Sequence, residues 1–158
     1  MESVMSFDFP YQQTTAGVDE TEALGARLAQ TLLSNTTLPR YIALRGDLGV
    51  GKTAFVRGFT RAIAPAALVR SPTFALVNEY HPPRTARLPS VFHFDMYRIT
   101  SEDDLYSIGY DDYLDRGICL VEWSENIPYA LPDDYLSVTI EKCGTDTPDQ
   151  RIISIAHE

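Results

Sequence analysis

A glycine-rich stretch that ends in a lysine and a threonine, residues 46–53, carries the strongest chemical signal in the sequence. It reads GDLGVGKT and fits the phosphate-binding pattern G-x-x-x-x-G-K-[ST], the P-loop. Its glycines let backbone N–H groups wrap around a phosphate, because the required backbone angles are readily accessible only to glycine. Lys52 would place a compact positive charge on the β- and γ-phosphates of a nucleotide. Thr53 would offer its hydroxyl to Mg²⁺, so the stretch predicts a nucleotide phosphate site.

The segments on either side of this loop are those that a P-loop requires. Tyr41–Arg45 predicts a short apolar strand that runs directly into the loop, and residues 54–63 predict a helix. A helix that starts there directs its free N–H groups and its positive dipole end at a bound anion. The alternative is a glycine-rich turn that matches the pattern by accident, and the strand–loop–helix order argues against it.

Two further predicted strands end in an acidic side chain, Asp95 and Glu122. A nucleotide hydrolase needs a carboxylate near Mg²⁺ and a group that places the attacking water, and in doubly wound sheets such groups lie at the carboxyl ends of strands. We assign Glu122 to Mg²⁺, directly or through a water, because the apolar run before it is typical of a Walker-B strand. Asp95 is the second candidate, as a metal ligand or as the residue that positions the water. The alternative is that both acids end their strands in solvent.

Other polar or aromatic positions near these motifs keep two interpretations. His93 and Asp95 share one face of the predicted strand, but a histidine there is by default a hydrogen-bonded core residue. Trp123 is by default a packing residue. The segment Ser-Pro-Thr-Phe at residues 71–74 predicts either a switch that senses the γ-phosphate or a proline-directed turn.

Features that other nucleotide-binding classes need are missing from the sequence. The guanine-reading motif N-K-x-D is absent, since the only lysines are Lys52 and Lys142, and D-x-x-G does not occur. Both absences argue against a Ras-type GTPase, so ATP is the expected nucleotide. The arginines that could supply an arginine finger are Arg57, Arg70 and Arg98, with nothing in the sequence to choose among them.

The composition fits one globular domain, residues 1–158, with an uneven distribution of charge. The net charge of −9 argues against this chain alone gripping a nucleic-acid backbone. Residues 40–98, which contain the P-loop, have a net charge of +6, and residues 99–158 have a net charge of −11. The acidic part is either a solvated surface or a docking face for a basic partner. We expect no membrane span, no signal peptide, and two buried free thiols, Cys119 and Cys143, in a reducing cytoplasm.

The remaining pattern predicts a three-layer α/β fold of the P-loop NTPase type, with helices on both faces of a mainly parallel sheet and antiparallel strands at its edges. Residues 20–34 predict an amphipathic helix, opened by Asp19 and Glu22 as a variant of the capping box. The other predicted elements include an edge strand at residues 6–9, a helix capped by Ser101, and an antiparallel pair of strands at residues 135–143 and 151–156.

With these residues in place, the chain resembles the TsaE (YjeE) family of small bacterial P-loop ATPases that act in tRNA threonylcarbamoyladenosine biosynthesis. The resemblance covers nearly the whole chain. It rests on TEALG at residues 21–25, GDLGVGKT at 46–53, SPTF at 71–74, HFDMYR at 93–98 and CLVEWSE at 119–125. Two departures are Val50, where alanine is frequent, and the loop of residues 81–90, which is rich in proline and arginine.

The resemblance implies a cytoplasmic protein that binds ATP and Mg²⁺ and hydrolyses ATP slowly by itself. It implies that TsaB and TsaD are partners and that TsaC supplies threonylcarbamoyl-adenylate. The complex would modify adenosine 37 of tRNAs that read codons beginning with A. Hydrolysis of ATP by this subunit would reset the TsaB–TsaD complex between turnovers.

The resemblance also implies a set of site residues. The phosphates are expected at Gly49, Val50, Gly51, Lys52, Thr53 and Ala54, Mg²⁺ at Thr53 and Glu122, and further site contacts at Asp95 and Trp123. The adenine is expected near residues 17–21. Two other functions stay open from the residues: a small-molecule kinase, whose lid would have to be the loop with Arg84 and Arg87, and a nucleotide-sensing module without turnover.

Overall fold

A seven-stranded sheet forms the centre of the protein in a computed structural model that describes residues 7–47, 49–73 and 75–158. The strands are β1 (Tyr11–Thr15), β2 (Tyr41–Arg45), β3 (Val77–Tyr80), β4 (Ser90–Asp95), β5 (Gly117–Glu122), β6 (Leu136–Lys142) and β7 (Arg151–His157). The α-helices are α1 (Val18–Ser34), α2 (Lys52–Ile63), α3 (Glu102–Ser107) and α4 (Tyr110–Leu114). Short 3₁₀ turns lie at Arg84–Ala86, Ser124–Asn126 and Pro128–Ala130.

The central strands of the sheet are parallel and its edges are antiparallel. The order across the sheet is β1-β7-β6-β2-β5-β4-β3. The neighbours β6, β2, β5 and β4 run parallel, whereas β1, β7 and β3 pair in the antiparallel sense. The predicted α/β class is confirmed. Because β2, β5 and β4 are neighbours, the P-loop after β2 lies at the same edge as Glu122 and Asp95.

Helices cover both faces of the sheet and form two separate cores. On one face α1 and α2 pack together, and Leu28, Phe55 and Phe59 are fully buried there. Both phenylalanines of α2 therefore face the core. On the other face α3 and α4 pack on β4 and β5, with Tyr110 against Phe94. The sheet is therefore dry on both sides at its parallel centre, as its continuous apolar strands require.

The two helices on the P-loop face approach closely where each has a glycine. A Cβ atom on Gly58 of α2 would lie 1.9 Å from the backbone oxygen of Glu22 in α1. A Cβ atom on Gly25 of α1 would lie 2.3 Å from the backbone oxygen of Phe55 in α2. Both positions therefore need glycine for lack of space, and the crossing sets the distance between the first turns of the two helices.

The first helix starts earlier than expected and without the predicted cap. Its first residue is Val18, and Gly17 precedes it in extended backbone with no side-chain capping bond. Its first turn closes through the hydrogen bond from Thr21 N to Gly17 O at 3.1 Å. Asp19 and Glu22 therefore lie inside the helix, and the capping-box prediction was wrong. An acid in the first turn still stabilises the helix dipole, which explains the similar sequence signal.

Two other boundary predictions differ in outcome. Ser101 caps α3 as predicted, because its hydroxyl accepts a hydrogen bond from Asp104 N at 3.3 Å. The edge strand is Tyr11–Thr15, whereas residues 7–9 lie in no strand and Ser6 lies outside the described residues. The pairing of β1 with β7 explains the shift, because the strand forms where a partner edge is available.

The two cysteines are both free, but their surroundings differ. Cys119 is fully buried in β5, as expected, and burial raises the pKa of its thiol to about 12. Cys143 is exposed, so its predicted burial was wrong: β6 ends at Lys142, and Cys143 already belongs to the turn that follows. Among the described residues, no helix is long and apolar enough to cross a membrane.

Candidate functional site

The P-loop has the backbone conformation that its glycines predict. Gly49 and Gly51 have φ angles of 78° and 112°, in the region that residues with side chains rarely adopt. Gly51 is also the N-cap of α2, and no side chain caps the helix there. The first N–H groups of α2 therefore face the loop, which is the arrangement that binds a phosphate.

Lys52, the first residue of α2, lies in a buried position at the centre of the site. Its ammonium group donates a hydrogen bond to Gly46 O at 2.7 Å and lies 3.6 Å from Glu122 Oε1. The same group is 5.3 Å from the centre of the Trp123 ring. The structure thus brings the P-loop lysine together with the strand-end acid and the tryptophan that directly follows it, from two separate parts of the chain.

Asp95 and Glu122 end neighbouring parallel strands and are partners in the strand register. They are only 9 % and 7 % exposed, so the alternative that both acids end in solvent was wrong. Asp95 Oδ1 accepts a hydrogen bond from Tyr97 N at 3.0 Å, which fixes the orientation of that carboxylate. Two buried carboxylates beside a P-loop concentrate negative charge where a metal–phosphate complex would stabilise it.

The donor set at this edge fits Mg²⁺ bound together with a nucleotide. Within the described part of the chain, no group of three or more His, Cys, Asp or Glu side chains could hold a metal by itself. Mg²⁺ does not need such a cage, because it is usually bound through one or two carboxylates, with phosphates and waters completing its octahedron. Thr53, Glu122 and Asp95 are of the required chemistry.

His93 contacts Glu122. The sequence predicts that Glu122 belongs to the site but that His93 is by default a core residue. The imidazole Nε2 donates to Glu122 Oε2 at 2.6 Å, and the ring is fully buried. Burial raises the pKa of Glu122. The hydrogen bond from His93 and the charges of His93 and Lys52 together lower it by more, so the pKa of Glu122 lies below its ordinary value. Glu122 is therefore a carboxylate at neutral pH. The alternation of His93 and Asp95 on one strand face was the available signal.

Trp123 has a backbone conformation that suits a site residue. Its φ angle is +60°, which is uncommon for a residue with a bulky side chain and re-aims the chain directly after Glu122. The half-buried ring lies 5.0 Å from the ring of Tyr97, centre to centre, as well as beside Lys52. The ring therefore lies beside the P-loop lysine and also packs against the second core, so the packing interpretation and the site interpretation both apply.

A cavity of about 410 Å³ adjoins the P-loop on the α1 side. Its lining comes from the start of α1, the P-loop and the turn before β7: Ala16, Gly17, Val18, Thr21, Gly49, Val50, Gly51, Ala54, Asp149 and Arg151. The region predicted for the adenine, residues 17–21, contributes to this lining. A space of this size beside a phosphate loop matches a nucleoside.

Arg151 and Asp149 reach this cavity from the far end of the sequence, and no local pattern marked them. Arg151 Nε donates a hydrogen bond to Val50 O in the P-loop at 2.7 Å. Its Nη1 donates to Pro148 O and Gln150 O at 2.6 and 2.8 Å. The first residue of β7 therefore ties the P-loop backbone to the turn between β6 and β7.

The remaining predicted candidates are the three arginines and the segment of residues 71–74. Arg57 pairs with Glu22 of α1 at 3.7 Å, which holds the two helices together. The Ser71 and Thr73 hydroxyls are hydrogen-bonded to each other at 2.8 Å, and Phe74 lies outside the described residues, so the switch interpretation of this segment stays a prediction. Arg70 and Arg98 are exposed, and neither is distinguished as an arginine finger.

Comparison with known proteins gives a consistent result. The family model "Threonylcarbamoyl adenosine biosynthesis protein TsaE" matches residues 15–153. The tRNA threonylcarbamoyladenosine biosynthesis protein TsaE of Bacillus subtilis (strain 168) is 36 % identical over 133 residues, which are 84 % of this chain and 78 % of that protein. The protein of the same name from Haemophilus influenzae is 37 % identical over 119 residues, 74 % of this chain and 73 % of that protein.

The fold of this chain is also similar to that of a solved structure. The crystal structure of Bacillus subtilis YdiB superposes with a TM-score of 0.68 at 28 % sequence identity, covering 95 % of this chain and 88 % of that one. The range matched by the family model, residues 15–153, contains the P-loop and both strand-end acids. On these sequence and structural grounds, the chain belongs to the TsaE family.

Proposed function

We propose that the protein binds and hydrolyses ATP as a subunit of the machinery that makes threonylcarbamoyladenosine at position 37 of tRNAs reading codons that begin with A. The observation that carries the proposal is the convergence of Lys52, Asp95 and Glu122 beside the P-loop, at the carboxyl edge of the parallel strands. Family membership supports the pathway, and the geometry of the site supports the chemistry.

In the proposed mechanism, residues 49–54 hold the phosphates. Lys52 exchanges its bond to Gly46 O for the β- and γ-phosphate oxygens, which are stronger acceptors because they are charged. Thr53 and Glu122 would hold Mg²⁺, which when bound neutralises charge on the phosphates. Asp95, already fixed by Tyr97 N, would accept a hydrogen bond from the attacking water and orient it towards the γ-phosphate.

The nucleoside would occupy the 410 Å³ cavity beside the P-loop. We assign ATP instead of GTP because the sequence lacks the N-K-x-D motif that reads guanine. Asp149 lines the cavity as an acceptor for ribose hydroxyls or an exocyclic amine, and the start of α1 forms the opposite wall. Trp123, close to Lys52 and at the phosphate side, would report nucleotide binding through its fluorescence, since it is the only tryptophan.

TsaB and TsaD are the proposed partners, with TsaC acting upstream to supply threonylcarbamoyl-adenylate. The names of the relatives support the pathway. The net charge of −11 on residues 99–158 favours a basic protein face as the docking partner. The net charge of −9 makes strong direct binding of tRNA by this chain alone unfavourable. Hydrolysis would serve to reset the TsaB–TsaD complex between turnovers.

The test is ATP hydrolysis by the purified protein with and without TsaB and TsaD, together with a pull-down in ATP, in ADP and without nucleotide. We expect hydrolysis to increase with the partners and retention to depend on the nucleotide. Lys52→Ala and Thr53→Ala should abolish both effects. Arg40→Ala, which removes an exposed cation just before the start of β2, at the end of that strand opposite the P-loop, is the matched control. Full activity of Lys52→Ala with both partners would refute the proposal.

The same assay separates the two alternative functions. Phosphate transfer to a small acceptor instead of water would indicate a kinase, and tight ATP binding without turnover would indicate a sensing module. The position of the arginine-bearing loop argues against a kinase lid. It joins the end of β3 to the start of β4, and β4 runs from there towards Asp95, so the loop lies at the sheet edge opposite the P-loop.

A further inference from the structure

We propose that His93 is a positioning residue that holds the carboxylate of Glu122 in the orientation needed for catalysis. This inference rests on the proposed ATP hydrolysis and adds a residue to it. The observation is a hydrogen bond of 2.6 Å between His93 Nε2 and Glu122 Oε2, made by an imidazole with no exposed surface. His93 touches neither the P-loop cavity nor its phosphate side, so it acts through Glu122.

The two carboxylate oxygens of Glu122 have different partners. Only the partner of Oε1, Lys52, would move away when a nucleotide binds. Oε1 lies 3.6 Å from the Lys52 ammonium, whereas Oε2 is held by His93. If Lys52 turns to the phosphates, Oε1 would lose this partner and be free to bind Mg²⁺, whereas Oε2 would stay bonded to His93. His93 thereby prevents rotation of the carboxylate at the moment when its other partner leaves.

The hydrogen-bond state of the ring supports this role. His93 Nδ1 is buried and has no hydrogen-bond partner among the described residues. A proton on Nδ1 would therefore be an unsatisfied buried donor, so the favoured tautomer carries its proton on Nε2 and donates it to Glu122. A buried polar atom without a partner destabilises a core. An apolar residue at this position would avoid that cost. The histidine differs from such a residue in donating a hydrogen bond to Glu122.

The backbone around His93 is rigid enough to transmit this constraint. β4 is hydrogen-bonded on both sides, and His93 pairs with Asn78 of β3 and Leu120 of β5. Glu122 lies two residues beyond Leu120 on the same face of β5, next to Asp95. Partners of this kind, behind a metal-binding side chain, typically contribute 10- to 100-fold to metal affinity or activity.

The experiment compares His93→Leu, His93→Gln and Thr60→Val. Leucine keeps an apolar side chain but removes the donor, and glutamine places an amide N–H near the position of Nε2. Thr60 is also fully buried on the P-loop face, with an unpartnered hydroxyl, so Thr60→Val controls for a core substitution without contact to Glu122. Measured quantities are kcat, KM for ATP, the Mg²⁺ concentration for half-maximal rate, and nucleotide affinity with Mg²⁺ and with EDTA.

We expect His93→Leu to lower kcat about 10- to 100-fold and to weaken the Mg²⁺-dependent gain in nucleotide affinity by a similar factor. Affinity in EDTA should stay within about twofold of the wild type, because the phosphate and nucleoside contacts are intact. His93→Gln should recover most of both losses, and Thr60→Val should match the wild type. If His93→Leu does not fold, His93→Gln decides: near-normal kcat and Mg²⁺ response support the role.

Three results would overturn the inference. They are an unchanged kcat and Mg²⁺ response in folded His93→Leu, an equal loss in Thr60→Val, and a folded His93→Gln that is as impaired as the leucine variant. A loss of stability alone, with kcat unchanged, would show a packing role. If the wild type hydrolyses no ATP even with its partners, the proposed function is refuted. If the wild type and His93→Leu are equally active, only the role of His93 is refuted.

Discussion

Replacing Gly58 with alanine probes the crossing of α1 and α2, two helices that both line the cavity beside the P-loop. The new Cβ atom would lie 1.9 Å from the backbone oxygen of Glu22. A carbon and a carbonyl oxygen in contact are about 3.3 Å apart, so the helices would have to separate by about 1.4 Å at the crossing. The contact is with backbone, and no change of side-chain rotamer relieves it.

Two opposing effects set the change in the free energy of unfolding. Alanine favours the helix interior over glycine by about 1 kcal/mol. Overpacking typically destabilises a core by about 1–3 kcal/mol and occasionally more, and separating the helices also weakens the contacts of the buried Leu28 and Phe59. A clash with backbone belongs at or above the upper end of that range, so we expect a net loss of about 2 kcal/mol.

Thermal and urea denaturation followed by circular dichroism measure this loss. A net loss of about 2 kcal/mol corresponds to a fall in Tm of about 4–8 °C for a domain of this size. Gly144→Ala is the matched control, because a Cβ atom there meets nothing within 4 Å, and it should change stability by less than about 0.5 kcal/mol. ATP affinity should fall in Gly58→Ala, since α1 and α2 both line the cavity. A Gly58→Ala protein at least as stable as the wild type would show that the close crossing is not required.

Two further substitutions test contacts that the sequence did not reveal. Arg151→Gln should weaken ATP binding about tenfold in a fluorescence titration, because it removes the hydrogen bond to Val50 O that steadies the P-loop. Full recovery in Arg151→Lys would assign the effect to charge and contradict this explanation. Tyr110→Phe should lower the free energy of unfolding by about 1–2 kcal/mol in urea titrations, because it leaves the buried Tyr41 hydroxyl without its 2.8 Å partner. The exposed Tyr106→Phe should be neutral, and equal stability of both variants would rule out a contribution from the buried pair.

The elements with a strong periodic signal were predictable from the sequence. The apolar strand Tyr41–Arg45 has the predicted boundaries, and Leu24, Leu28 and Leu32 form the buried stripe of α1. The start of α1 was misplaced, since acids in a first helical turn and acids at a cap give nearly the same pattern. The edge strand was misplaced for a different reason: its position depends on pairing with β7, which local sequence does not encode.

The site also contains residues that local sequence motifs predict and residues whose role depends on long-range contacts. Lys52 and the glycines of the P-loop follow from a contiguous motif, and Asp95 and Glu122 follow from the rule that chemistry collects at strand ends. Arg151 lies 101 residues from the Val50 oxygen that it binds, and its role depends on the order of strands in the sheet. His93 lay within a recognised motif, but only the register between β4 and β5 reveals that its partner is Glu122.

Strand β4 links the chemistry of one face of the sheet to the packing of the other. His93 and Asp95 point to the P-loop face, while Phe92 and Phe94 belong to the core beneath α3 and α4. A slip of one residue in register would exchange the two sets, burying a carboxylate among aromatic rings and exposing the rings to the phosphates. The packing of Phe92 and Phe94 therefore excludes the slipped register and holds Asp95 opposite Glu122. The acid pair is maintained by a core on the face opposite the P-loop, so we expect substitutions on the α3–α4 face to act on the proposed ATP hydrolysis through register.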